Sequence, residues 1–206
     1  MDKLDHLRNF LEIPYSTLEE MNLQAGKKAV TLSQKELEKE YRVYLEKEKR
    51  IKAITLCFSD IEGKFHMLDY DKKFLLSSAD NLTFDGSSIK GFSALRESDL
   101  RLGVDWSSIR WLPADIFGPG KIVMFADVLN RDRSPYESDF RLQLKLFTQE
   151  LQNKSGITAY ASTEIEGFLV NGINAEQNYD EDSGFHLIAS GGYYHSLPLD
   201  KLRMFI

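Results

Sequence analysis

Between Ser33 and Arg50 the chain sets Leu37, Tyr41, Tyr44 and Leu45 among Lys and Glu residues, the spacing of one apolar helix face. Ser33 and Glu36 stand in front of it as a capping box, each side chain placed to satisfy the other residue's backbone N–H. The spacing predicts an amphipathic helix whose charges form a solvated face. Near position 52 the pattern changes, which marks a boundary. Ile54, Leu56 and Phe58 alternate with Thr55, Cys57 and Ser59, and Phe65 and Met67 follow a polar turn ending in Gly63; this alternation predicts a β-hairpin with Cys57 opposite the apolar face. Residues 121–128 predict another strand. Phe140, Leu144, Phe147 and Leu151 predict an amphipathic helix closed by Gly156, with strands at 157–161 and 164–170 after it. Residues 1–32 show no period that fixes an element. The order of elements is α+β, with a strand-rich middle and a helix that opens a new unit near residue 133.

Composition narrows the function. The chain has 206 residues and a formal net charge of -6, with 28% charged and 42% apolar residues, which are ordinary globular values. A chain of this length buries enough apolar surface to need no disulfide or metal as a staple. The mild acidity argues against a binder of phosphate backbones, so nucleic acid is not an expected partner. Cys57 is the only cysteine, which excludes an internal disulfide and a cysteine zinc site and points to a reducing compartment, the cytoplasm. No apolar run reaches membrane-spanning length, and Asp2 and Asp5 stand where a signal peptide would be basic, so neither secretion nor membrane insertion is expected.

Three places carry candidate chemistry. In Phe84-Asp85-Gly86-Ser87-Ser88, Gly86 frees the backbone for positive φ, and a carboxylate, two hydroxyls and free N–H groups share one side of a tight turn. Such a turn suits a small cation or amine; the simpler alternative is an Asx turn that only satisfies itself. In Thr163-Glu164-Ile165-Glu166, two carboxylates at i and i+2 of a strand point to one face, about 6.5 Å apart. Phe168 and Val170 share that face, so the acids lie near a core edge, where hard oxygen ligands imply Mg²⁺ or Mn²⁺; the alternative is two solvated acids at a strand end. Gly191-Gly192-Tyr193 allows close backbone approach and offers a phenol, or is a surface turn with a packed aromatic. Cys57, His6, His66, His186 and His195 receive no role.

Taken together and in order, these motifs resemble the N-terminal part of the glutamine synthetase family. The resemblance rests on Phe84-Asp85-Gly86-Ser87-Ser88 with Glu97-Ser98-Asp99 and Leu102 downstream, on Pro135-Tyr136-Glu137-Ser138-Asp139-Phe140-Arg141, on Glu164-Ile165-Glu166 and on Gly191-Gly192-Tyr193, and runs from about residue 53 to the end. It implies a β-grasp-like domain over 53–132 and the opening of a catalytic domain over 133–206; ahead of it the boundary near 52 leaves a helical extension over 1–52. It implies ATP-dependent ligation of ammonia to glutamate through a γ-glutamyl phosphate. Glu164 would be a ligand of the metal ion nearer ATP and Glu166 of the ion nearer glutamate. Asp85 would hold ammonium and take its proton, with Ser88 and Tyr193 completing a polar cage. The family also implies a ring-shaped homo-oligomer with sites shared between subunits.

Two departures stand out: Gly167 replaces a usual aromatic, and Ile165 a frequent proline. The family's downstream metal-binding His and Glu, glutamate-binding segment and phosphate-binding Arg have no counterpart before Ile206, so the 206-residue chain alone is expected to be inactive. Two other readings stay open, a γ-glutamyl ligase for a larger amine and a non-catalytic interaction module on the same scaffold.

Overall fold

The computed structural model describes residues 10–93, 99–164 and 167–188. The chain divides into two compact units, Met1–Thr158 and Ala159–Ile206.

The first unit is a curled mixed sheet backed by helices. Strands β1 (Ala53–Ser59) and β2 (Phe65–Asp71) form the expected hairpin, turned at Gly63, whose φ of 77° favours glycine. Strand β3 (Leu82–Asp85) pairs with β4 (Asp99–Val104), β4 pairs with β6 (Ile122–Leu129), and β5 (Arg110–Trp111) adds to β6, all antiparallel. Among the described residues only β1 and β6 run parallel, and their pairing gives the order β2-β1-β6-β4-β3. Along β6, Ile122, Met124, Ala126 and Val128 are buried while Val123, Phe125, Asp127 and Leu129 are half-buried, the period-two signature of a sheet with one face in the core. Cys57, opposite the core face carried by Ile54, Leu56 and Phe58, is itself 1% exposed, because β1 is central and covered on both faces. Burial pushes its thiol pKa up, as befits an inert packed cysteine.

Helices α1 (Tyr15–Thr31) and α2 (Gln34–Lys47) cover the core face, with Leu18, Ala25, Leu37, Tyr41 and Leu45 packed into one cluster with Ile54, Leu56, Leu102 and Met124. The capping box at Ser33 and Glu36 is present, and Leu37, Tyr41 and Leu45 form the buried face. Helix α1, illegible in the sequence pattern, is tied to β5 by an amide that imitates a strand: Asn22 Nδ2 donates to the Trp111 carbonyl at 2.9 Å and its Oδ1 accepts from the Trp111 N–H at 3.0 Å. Tyr44 accepts from the Trp111 indole at 3.0 Å. After the hairpin come two short helices, α3 (Lys72–Ser78) following β2 and α4 (Ala114–Phe117) following β5.

Helix α5 (Phe140–Ser155) has the expected ends, an Asp139 N-cap and Gly156 in the left-handed conformation. Its apolar stripe does not face the sheet: Phe140, Leu144 and Phe147 are 58%, 62% and 61% exposed. The helix meets the sheet instead through Leu142, Arg141 and Lys145.

The strands expected at 157–161 and 164–170 do not form among the described residues. Val170 makes a single bridge to Leu187, and residues 157–164 are irregular and exposed. Strand structure depends on pairing, and no neighbouring strand is in place for this segment among the described residues. Among the described residues no helix is long and apolar enough to cross a membrane.

The end of α2 carries a testable electrostatic clamp. Glu48 makes a two-pronged contact with Arg50, at 2.8 and 2.7 Å, which holds its carboxyl down at about 2. A carboxyl whose folded pKa lies below its ordinary 4.5 adds stability above that value and loses it as pH falls toward 2. Glu48→Gln is expected to flatten the loss of stability between these two pH values, measured as the urea midpoint at successive pH.

Candidate functional site

Asp85 ends β3 and opens a 3₁₀ turn, Gly86–Ser88. Its Oδ1 accepts from the Ser87 N–H at 2.9 Å and the Ser87 hydroxyl at 2.6 Å, and its Oδ2 accepts from the Ser88 hydroxyl at 3.0 Å. These bonds, the Ser87 hydroxyl first and the Ser88 hydroxyl next, hold the Asp85 carboxyl below the usual carboxylate range. The side chain remains exposed, so the turn presents a permanent negative charge to solvent. The self-satisfied turn and the presented carboxylate are thus one structure.

Gly86 serves differently from the sequence expectation. It does not adopt positive φ; a Cβ there would lie 2.7 Å from Leu100 Cδ1 and 2.8 Å from Ser93 Oγ. Close packing, rather than backbone freedom, requires glycine at this position.

Beneath the turn lies an aromatic pedestal. The Phe58 ring centroid is 4.6 Å from that of Phe84 and 6.3 Å from that of Phe92, and Phe92 meets Tyr136 edge-on at 5.2 Å. Tyr136 also donates its hydroxyl to the Phe92 carbonyl. His66, given no role from the sequence, is half-buried: its ring stacks on Phe58 at 5.3 Å and its Nε2 lies 2.7 Å from Asp60 Oδ2. That contact lowers the Asp60 carboxyl, which also accepts from the Glu62 and Lys64 N–H groups.

The segment Pro135–Arg141 gained no residue roles from the sequence, yet it fastens the loop to the sheet. Tyr136 holds Phe92 as above. Asp139, 1% exposed, caps α5 through the Leu142 N–H at 3.0 Å and accepts from the Val128 N–H at 2.6 Å; burial pushes its carboxyl up. Arg141 spans Asp105 at 2.6 Å and Asp127 at 2.5 Å. The signal available in sequence was the density of Tyr, Asp and Arg just ahead of a helix start, which caps and bridges require.

The other expected site residues are placed unevenly. Glu164 is exposed on irregular chain in the second unit, while Asp85 belongs to the first. Glu166, Tyr193, Glu97 and Ser98 lie outside the described residues, as do Gly191, Gly192, His6 and His195. Among the described residues no group of three or more His, Cys, Asp or Glu converges as a metal site would. Carboxylate oxygen suits Mg²⁺ or Mn²⁺, but Glu164 alone does not make a centre.

Comparison with known proteins gives a consistent picture. Residues 50–131 match the family described as the glutamine synthetase β-grasp domain. The chain is 33% identical over 157 residues to a glutamine synthetase of Thermotoga maritima, covering 76% of this chain and 34% of that protein. It is 32% identical over 158 residues to one of Methanosarcina mazei, with the same coverage. The chain thus spans about a third of the length of the curated relatives it matches. The cryo-EM structure of Plasmodium falciparum glutamine synthetase shares the fold, with a TM-score of 0.51 at 21% identity over 57% of this chain and 23% of that one.

The hydroxyl bonds within the turn can be tested directly. Ser87→Ala is expected to raise the Asp85 pKa toward its ordinary value, and Ser88→Ala to raise it less, as read by carboxylate ¹³C titration. An unchanged pKa in both variants would mean that these bonds do not hold the charge.

Proposed function

Since the chain belongs to the glutamine synthetase family through its β-grasp domain at residues 50–131, we propose that it is the N-terminal portion of an enzyme that ligates ammonia to glutamate with ATP. The observation that carries this reading is the Asp85 turn. It lies inside the matched segment and presents an ionised, exposed carboxylate framed by two hydroxyls.

A fixed negative charge attracts ammonium and disfavours neutral competitors. In the proposed role Asp85 holds ammonium beside the acyl phosphate and accepts one of its protons. The ammonia so released attacks the γ-carbonyl carbon, and inorganic phosphate leaves. Ser88, with its hydroxyl already oriented by Asp85, and Tyr193 would line the same pocket. An anionic cage of this kind fits ammonium better than a bulky amine, which favours glutamine formation over transfer to larger acceptors.

Glu164 and Glu166 are proposed as ligands of Mg²⁺ or Mn²⁺. Bound ions of this class neutralise charge on phosphoryl oxygens. A centre of this kind needs ligands besides these two carboxylates, so the 206-residue chain alone is not expected to form glutamine. The proposed setting is the cytoplasm.

Asp85 and Glu164 stand in separate compact units. This supports a site shared between neighbouring subunits of a cyclic homo-oligomer, in which head-to-tail contact closes the ring. In a polypeptide carrying the full length of the relatives, Asp85→Ala and Glu164→Ala are each expected to lower turnover by at least about a hundredfold. Mixing the two inactive variants should restore partial activity through interfaces that combine one intact half-site from each. Zero activity after confirmed subunit exchange would place both residues in one chain's site. Wild-type turnover in Asp85→Ala would overturn the proposed ammonium role.

A further inference from the structure

A cleft of about 230 Å³ in the first unit lies apart from the Asp85 turn. It opens between the start of α2, the turn Ala79–Asn81, the end of β4 and the loop after β6, and Lys35, Asp80, Gly103, Trp106, Arg133 and Lys145 are among its lining residues. Most charge around it is already matched. Asp105 and Asp127 are paired with Arg141 and Lys145, and Glu38 is paired with Arg42 at 2.8 Å. What remains is Lys35 and Arg133 against Asp80. Lys35 and the Asp80 carboxylate have no partner among the described residues, and the Arg133 guanidinium makes one bond, from Nη1 to the backbone carbonyl of Asp80.

Arg133 is the second observation. It is the one non-glycine residue with positive φ among the described residues, at 70°. The turn it occupies is closed by backbone bonds, Asn130 N–H to Ser134 C=O and Arg133 N–H to Asn130 C=O, and by Asp132 accepting from Ser134. None of these uses the arginine side chain, and glycine would hold this backbone at lower cost. A strained residue whose side chain stands at the mouth of a cleft is explained when that side chain has a ligand.

We propose that this cleft binds a small organic dianion, with one carboxylate on the free edge of the Arg133 guanidinium and the second on Lys35. A guanidinium takes a carboxylate through two parallel bonds, and an ammonium takes one as a point charge. Gly103 lies on the floor, where a Cβ would come within 3.0 Å of Leu129 Cδ1, so a larger residue has no room there. Trp106, 4% exposed and with the Arg42 guanidinium 5.4 Å from its ring centroid, is also among the lining residues. Asp80 and the small volume disfavour polyphosphates, whose charge and size exceed what two cations can match here.

The test uses the 206-residue chain and succinate, followed by ¹H–¹⁵N NMR with the Trp106 indole and Gly103 amide as reporters. Saturable shifts at these two signals are expected, with acetate and inorganic phosphate binding at least about tenfold more weakly, the loss of one charged contact. Arg133→Gly is expected to melt no lower than the wild type, because it relieves the backbone, and to bind succinate at least tenfold more weakly. Lys35→Gln, a change at an exposed helix position, should weaken binding without altering the fold and carries the test if the glycine variant is unstable. No saturable shift with succinate, wild-type affinity in the variants, or equal binding of acetate or phosphate would each overturn the assignment. None of these readouts depends on glutamine formation, so this site stands or falls separately from the function proposed above.

Discussion

A carboxylate that is 4% exposed must find partners within the protein, and Asp105 finds them in three elements at once. Its oxygens accept from Gln34 Nε2 at the start of α2 at 2.8 Å, from the Ser107 hydroxyl at 2.5 Å and from Arg141 of α5 at 2.6 Å, with Lys145 at 3.5 Å. Burial alone would raise this carboxyl; the Ser107 hydroxyl, Arg141, Lys145 and Gln34 outweigh it and hold it well below the usual range. Gln34 turns its other amide atom to the Trp106 N–H, so one glutamine fixes both the backbone and the side chain of the β4 exit. Arg141 extends the network to Asp127 and lies over the Phe125 ring at 5.0 Å. Shifting α2 or α5 by one turn would strand a buried charge, which is why the helices sit in one register on the sheet.

That network also explains how the Asp85 turn is held at a distance from it. The segment ahead of α5 bonds to Phe92 through Tyr136 and to β6 through Asp139, so the loop that follows Asp85 and the helix anchored on Asp105 share a short stretch of chain. The aromatic rings of Phe58, Phe84 and Phe92 then support the turn from below. An exposed carboxylate gains a fixed position without being buried, and so keeps its charge.

Elements with strong local signals were legible in the chain. The capping box at Ser33, the Gly63 turn, the strand at 121–128 and the Gly156 stop each write their structure over a few residues, and each formed. Helix α1 was not legible, because its hold on the fold comes from Asn22 meeting the distant Trp111, a contact with no local pattern. The stripe Phe140, Leu144, Phe147 was legible as a period but not as a direction, since the bridging charges of Arg141 and Lys145 decide which side meets the sheet. Strands expected after Gly156 lacked partners among the described residues. Of the site, the Asp85 turn could be read from the Asp-Gly-Ser-Ser run, while the pedestal of Phe58, Phe92 and Tyr136 draws on three separate regions that only the fold assembles.

The parallel pairing of β1 with β6 has a consequence for how the first unit is made. Thr55 and Val123 are neighbours in the sheet, but nearly the whole of that unit's strand sequence is synthesised between them. The hairpin β1–β2 closes early, being local, whereas the central ladder must wait for loop closure over most of the domain. Until Ile122–Leu129 leaves the ribosome, the inner edge of β1 is an unpaired, apolar strand edge. The nascent chain is therefore most exposed to mispairing just before its sixth strand appears.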